Sequence, residues 1–433
     1  MKAIIFATAY QDSIVSEPIA FTPACGVSLL ERHVRTLKAC GIDHVDVVVK
    51  DEVVFSNGPG KKLNHRDVAI RFRTIRELQC ETIRADSESA IVVLGHYLVE
   101  QRLMKTVLEA KSECILVDSN PWIDAAPAER LKRERVFAGV AVVSGRKIQA
   151  LLSVCDSKAF PLEILGAVRQ IDVDTLPTFD PGLRRDRRRM WMQIASADDL
   201  RAAEARLIKA VQKGSLDWPA QVLHAPIENW AIARLCRTSI TPNQLTLITN
   251  IVAWGVTALI LSGYLLSALV LAAVVGVLDG VDGKLARLKL STSRIGKLEH
   301  AFDMIFEYSW WFALGWVLSQ GDHGAPVFLA SIALILCNFG DTVSASVFWI
   351  FKGREHGRRL DNYTSLDLVI RKVSGRRNIY VWLILLTALM SSVESGLWVA
   401  VIWGVVTIIV RSGRTFMHLR NRRIKADFEF VVR

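Results

Sequence analysis

Apolar positions follow two regimes along the chain. Up to about residue 215 they come in short runs broken by polar stretches; from about residue 240 they lengthen into runs near 244–262, 264–278, 301–319, 326–351, 379–394 and 396–411. A helix needs about 20 residues to cross the hydrocarbon core, so these runs predict six membrane-spanning helices. In the first regime Ala3–Ala7 reads as a strand, Leu29–Leu37 as a helix ending at Gly41, and Val45–Val49 as a second strand. The runs at 91–95 and 137–143 and the helical stretch Ala197–Lys213 continue the alternation, which predicts an α/β fold. The expected organisation is a cytoplasmic α/β domain over 1–215, a linker over 216–240, an all-α integral membrane domain over 241–415 and a basic tail over 416–433. Within the linker, Ile227–Arg237 sets Trp230, Ile232 and Leu235 against Glu228 and Arg234, the pattern of an interfacial amphipathic helix.

Charge fixes an orientation for this bundle. Arg234 and Arg237 precede the first run; Lys284, Arg287, Lys289, Arg294 and Lys297 follow the second; Lys352 to Arg377 follow the fourth; and Arg411 to Lys425 follow the last. The links near Gly263, Gly321-Asp322 and Glu394 carry no Lys or Arg, so both termini are expected on the cytoplasmic side of a bacterial inner membrane. The net charge of +11 is placed between apolar runs, where anionic lipid headgroups explain it better than nucleic acid does. The run Arg184 to Arg189 beside Trp191 reads the same way, as a solvated face near anionic lipid. Seven cysteines without a C-x-x-C pair or zinc spacing indicate neither a disulfide framework nor a structural metal site. The opening MKAIIFATAY lacks a small-residue cleavage site and reads as a first strand.

The densest chemistry is DGVDGKLARLKLSTSRIGKLEHAFD, Asp279 to Asp303, which starts as the second run ends and finishes as the third begins. On helices, Asp279 and Asp282 are three apart and Glu299 and Asp303 four apart, so each pair shares a face. Four carboxylates brought together would repel one another unless divalent cations with a preference for oxygen, Mg²⁺ or Mn²⁺, relieved the charge. Gly283 permits close approach of a ligand, and Arg287 offers a planar fork for phosphate. The bland reading is a juxtamembrane loop whose acids pair with Lys284, Lys289 and Arg294.

This stretch resembles the signature of the CDP-alcohol phosphotransferases, D-x2-D-G-x2-A-R-x8-G-x3-D-x3-D. Asp279, Asp282, Gly283, Ala286, Arg287 and Gly296 match in identity and spacing, while the third and fourth acids would fall on His300 and Met304. Removing one residue after Gly296 places Glu299 and Asp303 on those two positions, with Glu307 one turn further on as a fallback. Thr241-Pro242-Asn243 with Leu245-Thr246 is similar to the family's T-P-N-x-L-T entry to the first span. The resemblance implies a transfer in which an acceptor hydroxyl attacks a CDP-alcohol and CMP leaves. It implies two divalent cations on Asp279, Asp282, Glu299 and Asp303, with Asp303 also the general base, and nucleotide contacts from Asp279, Gly283, Ala286 and Arg287. Arg371, Arg376 and Arg377, with Lys372, are candidates for an acceptor phosphate, although topology alone also asks for a basic loop there. Asn338 and Asp341, polar residues inside the fourth run, either line the acceptor site or tie two helices together.

The first 215 residues resemble a sugar-nucleotide nucleotidyltransferase, a domain that some relatives carry fused to the phosphotransferase. Here Thr8-Ala9-Tyr10-Gln11-Asp12 replaces the glycine-rich phosphate loop, His96 stands where a metal-binding Asp is expected, and the W-x-D-I element reads Trp191-Met192-Gln193-Ile194. The domain is therefore expected to be inactive. The expected partners are a CDP-alcohol donor, a lipid or polyol phosphate acceptor and membrane lipids, with a homodimer left open by the resemblance. The competing reading is a non-catalytic membrane anchor or partner-binding protein.

Overall fold

The computed structural model describes residues 1–9, 18–50, 68–80, 89–121, 130–131, 135–154, 168–291 and 299–420. Tyr10 to Asp12, Arg294, Gly296, Lys297, the side chains of Glu299 and His300, and the tail beyond Arg420 lie outside the described residues. The chain divides into two units: residues 1–178 with 187–207, and residues 179–186 with 208–433.

The first unit is built on β1 (Lys2–Phe6), β2 (His44–Val49), β3 (Ala69–Thr74), β4 (Ala90–Leu94), β5 (Cys114–Asp118), β6 (Arg135–Val143) and β7 (Arg169–Asp172). They lie in the order β7-β5-β6-β4-β1-β2-β3, with Arg130–Leu131 added beside β6. β6 runs antiparallel to β4 and β5, and every other neighbouring pair on that path is parallel. Ala3, Ile4 and Ile5 are fully buried, as are Ile91, Val92 and Val93. These strands are covered on both faces, which is why they read as continuous apolar runs rather than alternating ones. Helices α1 (Leu29–Ala39), α2 (Ile75–Cys80), α3 (Gln101–Glu109), α4 (Gly145–Val154) and α5 (Ala197–Ala210) accompany the sheet, the last running on past the end of the unit. α1 starts where the Ser28 side chain accepts a hydrogen bond from Glu31 N at 3.1 Å.

The second unit is helical: α6 (Ala225–Leu235), α7 (Pro242–Leu261), α8 (Leu265–Leu288), α9 (Glu299–Leu318), α10 (Pro326–Phe348), α11 (Ser365–Val373), α12 (Arg377–Met390) and α13 (Val393–Arg420). Thr241 caps α7 in a reciprocal capping box with Gln244, and Pro242 occupies the first turn, where its missing N–H costs nothing. Among the described residues four helices are long and apolar enough to cross a membrane: Pro242–Leu261, Leu265–Leu288, Pro326–His356 and Val393–Arg420. α9 and α12 fall in the expected order but outside this set. α9 carries Glu299, Asp303 and Glu307, and α12 has only 14 residues. Four of the six expected spans therefore meet the length and composition of a membrane helix among the described residues.

Two other expectations change. In the linker helix Glu228 and Ile232 are buried while Trp230 is exposed, with the Arg234 guanidinium 4.0 Å over its ring. The buried face is set by packing on α8 rather than by polarity alone. The basic run at 184–189 is not a solvated face. In the first unit Arg187 pairs with Glu100 at 2.7 Å, Arg188 with Asp118 at 2.6 Å, and Arg189 donates to the Arg102 carbonyl at 3.1 Å. In the second, Arg185 donates to the carbonyls of Lys209 and Ala210 at 3.0 and 2.9 Å, near the C-terminus of α5, where cations are favoured.

Candidate active site

The site is assembled on the C-terminal half of α8, Leu265–Leu288. A glycine face lets other elements come close there. A Cβ on Gly276 would lie 2.9 Å from His224 and 2.8 Å from Asn378 Oδ1, and one on Gly280 would lie 2.1 Å from Glu228 Oε1. His224 and Glu228 thus seat one turn apart against α8, flanking Asp279. His224 ends a π-helical turn, Ala220–His224, and its Nε2 accepts from Trp382 Nε1 at 3.2 Å. Glu228 forms a buried ion pair with Lys284 at 2.9 Å, and Lys284 also donates to Asn229 Oδ1 at 2.7 Å. Burial pushes the Glu228 carboxyl up, against the pull of Lys284. The bland reading, in which Lys284 neutralises the motif acids, is replaced by this pair.

Asp279 is held by Arg377 at the start of α12. Asp282 is 2% exposed and accepts from Thr246 Oγ1 of α7 at 3.1 Å, a contact that ties the T-P-N-x-L-T entry to the signature. At Gly283 a Cβ would lie 3.3 Å from the guanidinium of Arg287, on its own helix. Ala286 is partly exposed, and Arg287 Nε donates to the Val211 carbonyl at 2.9 Å. From α9, Asp303 and Glu307 share one face, and both act electrostatically on the Arg377 guanidinium together with Asp279. Glu299 opens α9, with its side chain outside the described residues.

The three candidate acceptor arginines part company. Arg377 joins the signature acids, whereas Arg376 clamps Asp361 through two contacts of 3.1 Å and Arg371 lies 3.4 Å from Asp361 and 3.8 Å from Asp217. Arg411 reaches Asp361 at 2.9 Å and also pairs with Asp341, and Arg184 lies 3.9 Å from Asp361. Burial works to raise the Asp361 pKa, but Arg376, Arg371 and Arg411 outweigh it and hold the carboxyl far below its usual range. Burial, helped by Arg376, brings Arg371 down to about 10, so it stays protonated at neutral pH. Among the described residues Arg184, Arg371, Arg376 and Arg411 stand against Asp217, Asp341 and Asp361, four cations against three anions. Arg371 Nη1 and Arg376 Nε have no hydrogen-bond partner among the described residues. Asn338 and Asp341 also separate: Asp341 belongs to the Arg411 pair, and Asn338 Nδ2 donates to Glu307 Oε1 at 2.6 Å.

Residues 239–359 match the family model for CDP-alcohol phosphatidyltransferase. The C-terminal unit carries a CDP-alcohol phosphatidyltransferase domain. A bifunctional IPC transferase and DIPP synthase of Thermococcus kodakarensis is 22% identical over 327 residues, 68% of this chain and 71% of the relative. A phosphatidylinositol phosphate synthase of Corynebacterium glutamicum is 31% identical over 119 residues, 27% of this chain and 52% of that protein. The structure of a putative glucose-1-phosphate thymidylyltransferase from Bacillus anthracis aligns at 13% identity and a TM-score of 0.35, over 47% of this chain and 94% of that one. The transferase domain accounts for the match of Asp279, Asp282, Gly283, Ala286 and Arg287 to the signature, and CDP-alcohol phosphotransfer is its chemistry. Sequence reasoning missed His224, Glu228, Asp217 and Asp361. The one signal available was their position beside apolar or basic stretches where an acid or imidazole needs a partner.

Among the described residues no three His, Cys, Asp or Glu side chains form a ready-made metal site. The donor types nevertheless fit a divalent cation: a guanidinium sits on Asp279 in the electrostatic field of Asp303 and Glu307, so positive charge is what the carboxylates attract.

Proposed function

We propose that the chain transfers a phospho-alcohol group from a CDP-alcohol to the hydroxyl of a phosphorylated acceptor, at the cytoplasmic face of a six-helix membrane bundle with both termini in the cytoplasm. The observation that supports this reading is the convergence of Asp279, Asp303 and Arg377 beside a node of arginines that outnumber their acids. Asp279, Asp282, Glu299 and Asp303 would hold two divalent cations, Mg²⁺ or Mn²⁺. Such cations, when bound, neutralise charge on the attacking and leaving oxygens. Gly283, with the Arg287 guanidinium beside it, and the partly exposed Ala286 receive the nucleotide. Asp303 takes the acceptor's proton. The new bond joins the acceptor oxygen to the phosphorus next to the donor alcohol, the bond from that phosphorus to CMP breaks, and CMP leaves with the electron pair. The spare N–H groups of Arg371 and Arg376 suit an acceptor phosphate, because buried guanidinium donors are costly to leave unpaired.

The first unit is a non-catalytic α/β module in this reading. Asp118, at the end of β5, accepts from Arg188 and from Trp191 Nε1 at 2.7 Å, and Glu100 is taken by Arg187 and Arg102. Carboxylates so engaged with cations of the same unit are poor ligands for a metal–triphosphate.

The test is release of CMP by protein in detergent with Mg²⁺ or Mn²⁺, from CDP-diacylglycerol and from CDP-inositol, against phosphorylated polyols. Acceptor-dependent release that Asp303→Asn reduces by about 10²–10⁴-fold is expected. Release unchanged in that variant, or none from wild-type protein on any pair, would overturn the reading.

A further inference from the structure

Glu307 is a carboxylate two turns into α9, beyond every acid of the signature. Its Oε1 accepts from Asn338 Nδ2 of α10 at 2.6 Å and more weakly from Trp311 Nε1 at 3.4 Å. Two features separate the pair from a plain tie between helices. Both Glu307 and Asn338 are partly exposed, whereas the neighbouring Phe306, Trp310 and Trp311 are buried. A carboxylate at that depth is tolerated only where polar partners receive it, since lipid would leave it unsolvated. Glu307 also acts on the same guanidinium as Asp279 and Asp303, which puts it on the reacting side of the bundle.

Asn338 spends its N–H on one oxygen of Glu307. That leaves the second carboxylate oxygen and the amide carbonyl as acceptors, in a fixed relation one turn from Asp303. Two adjacent acceptors match two O–H donors on neighbouring carbons.

We propose that Glu307 and Asn338 form a hydroxyl-binding subsite that selects a polyhydroxylated acceptor. Resting on the transferase reading above, it refines the acceptor: the phosphate lies on the arginines, one hydroxyl meets Asp303, and a second hydroxyl meets Glu307–Asn338. Glu307 is then a specificity residue that touches the acceptor and takes no proton.

The experiment measures CMP release by wild-type, Glu307→Gln and Asn338→Leu proteins, with inositol phosphate, glycerol phosphate and 2-hydroxyethyl phosphate as acceptors. The last has a phosphate and a single hydroxyl. Mn²⁺ binding, read by electron paramagnetic resonance, accompanies each variant. The expected result is a KM for the two polyol phosphates raised at least about tenfold in both variants, with KM for 2-hydroxyethyl phosphate and Mn²⁺ binding unchanged. Loss of Mn²⁺ binding in Glu307→Gln would make Glu307 a cation ligand and overturn the proposal. So would an equal fall in kcat for all three acceptors, or no change in any KM. Wild-type protein silent on every acceptor would instead remove the transferase reading, and the subsite with it.

Discussion

Arg377, the first residue of α12, pairs with Asp279 of α8 and stands in the combined field of Asp279, Asp303 and Glu307. One guanidinium therefore pairs α12 with α8 and lies in the field of the α9 acids. Arg377→Gln should leave Asp279 unpaired and lower kcat/KM by two orders of magnitude or more. Arg377→Lys should recover little of it, because an ammonium is a point charge without the planar fork. Steady-state CMP release on the two variants checks this; full activity in Arg377→Lys would show that charge alone matters.

The Glu228–Lys284 pair, with side chains 5% and 1% exposed, is expected to behave as a buried ion pair. Glu228→Leu or Lys284→Met alone should cost about 3–5 kcal/mol, since each leaves one charge uncompensated, and the two combined should recover most of the loss. Thermal unfolding in detergent gives the double-mutant cycle. Gly280→Ala should be damaging through the same contact, because its Cβ would overlap Glu228 Oε1.

Asp361 is the anion that makes the arginine node tolerable. Asp361→Asn should destabilise the second unit by about 3–5 kcal/mol, because Arg371, Arg376 and Arg411 would then face one another without their shared partner. Added inorganic phosphate should restore part of the lost thermal stability. No response to phosphate would argue against an anion site at the node.

His33 of α1 is buried, and neither ring nitrogen has a hydrogen-bond partner among the described residues. Burial, with His96 and Arg32 nearby, lowers its pKa to about 3. The unfolded chain binds a proton near pH 6.5 and the folded unit does not, so stability is full above 6.5 and falls as pH drops towards 3. At pH 5 the loss is about 2 kcal/mol. Hydrogen exchange of the β1 and β4 amides in the full-length protein should quicken over that interval, and His33→Leu should flatten the dependence.

Much of the fold was legible because burial on both faces writes itself into the sequence. β1, β2, β4 and β6 coincide with apolar runs, and α1 begins at a serine cap. β3, whose sequence is AIRFRT, was not legible, because a half-exposed edge strand with two arginines carries little apolar signal. The signature acids were readable from their spacing on helices, a local property.

Sequence by itself determined the two regimes of hydropathy, the capped entry of α7 at Thr241, and the acids at 279, 282 and 303. Each depends on residues within a few turns of one another. Only the tertiary structure decided that Arg377 goes to Asp279 while Arg376 goes to Asp361, that Glu228 is buried against Gly280, and that Asn338 holds Glu307. The partners in these contacts lie between 15 and 98 residues apart in the chain. A charge in a low-dielectric bundle pairs with whatever helix packing brings within a few ångströms, and local spacing does not encode that choice.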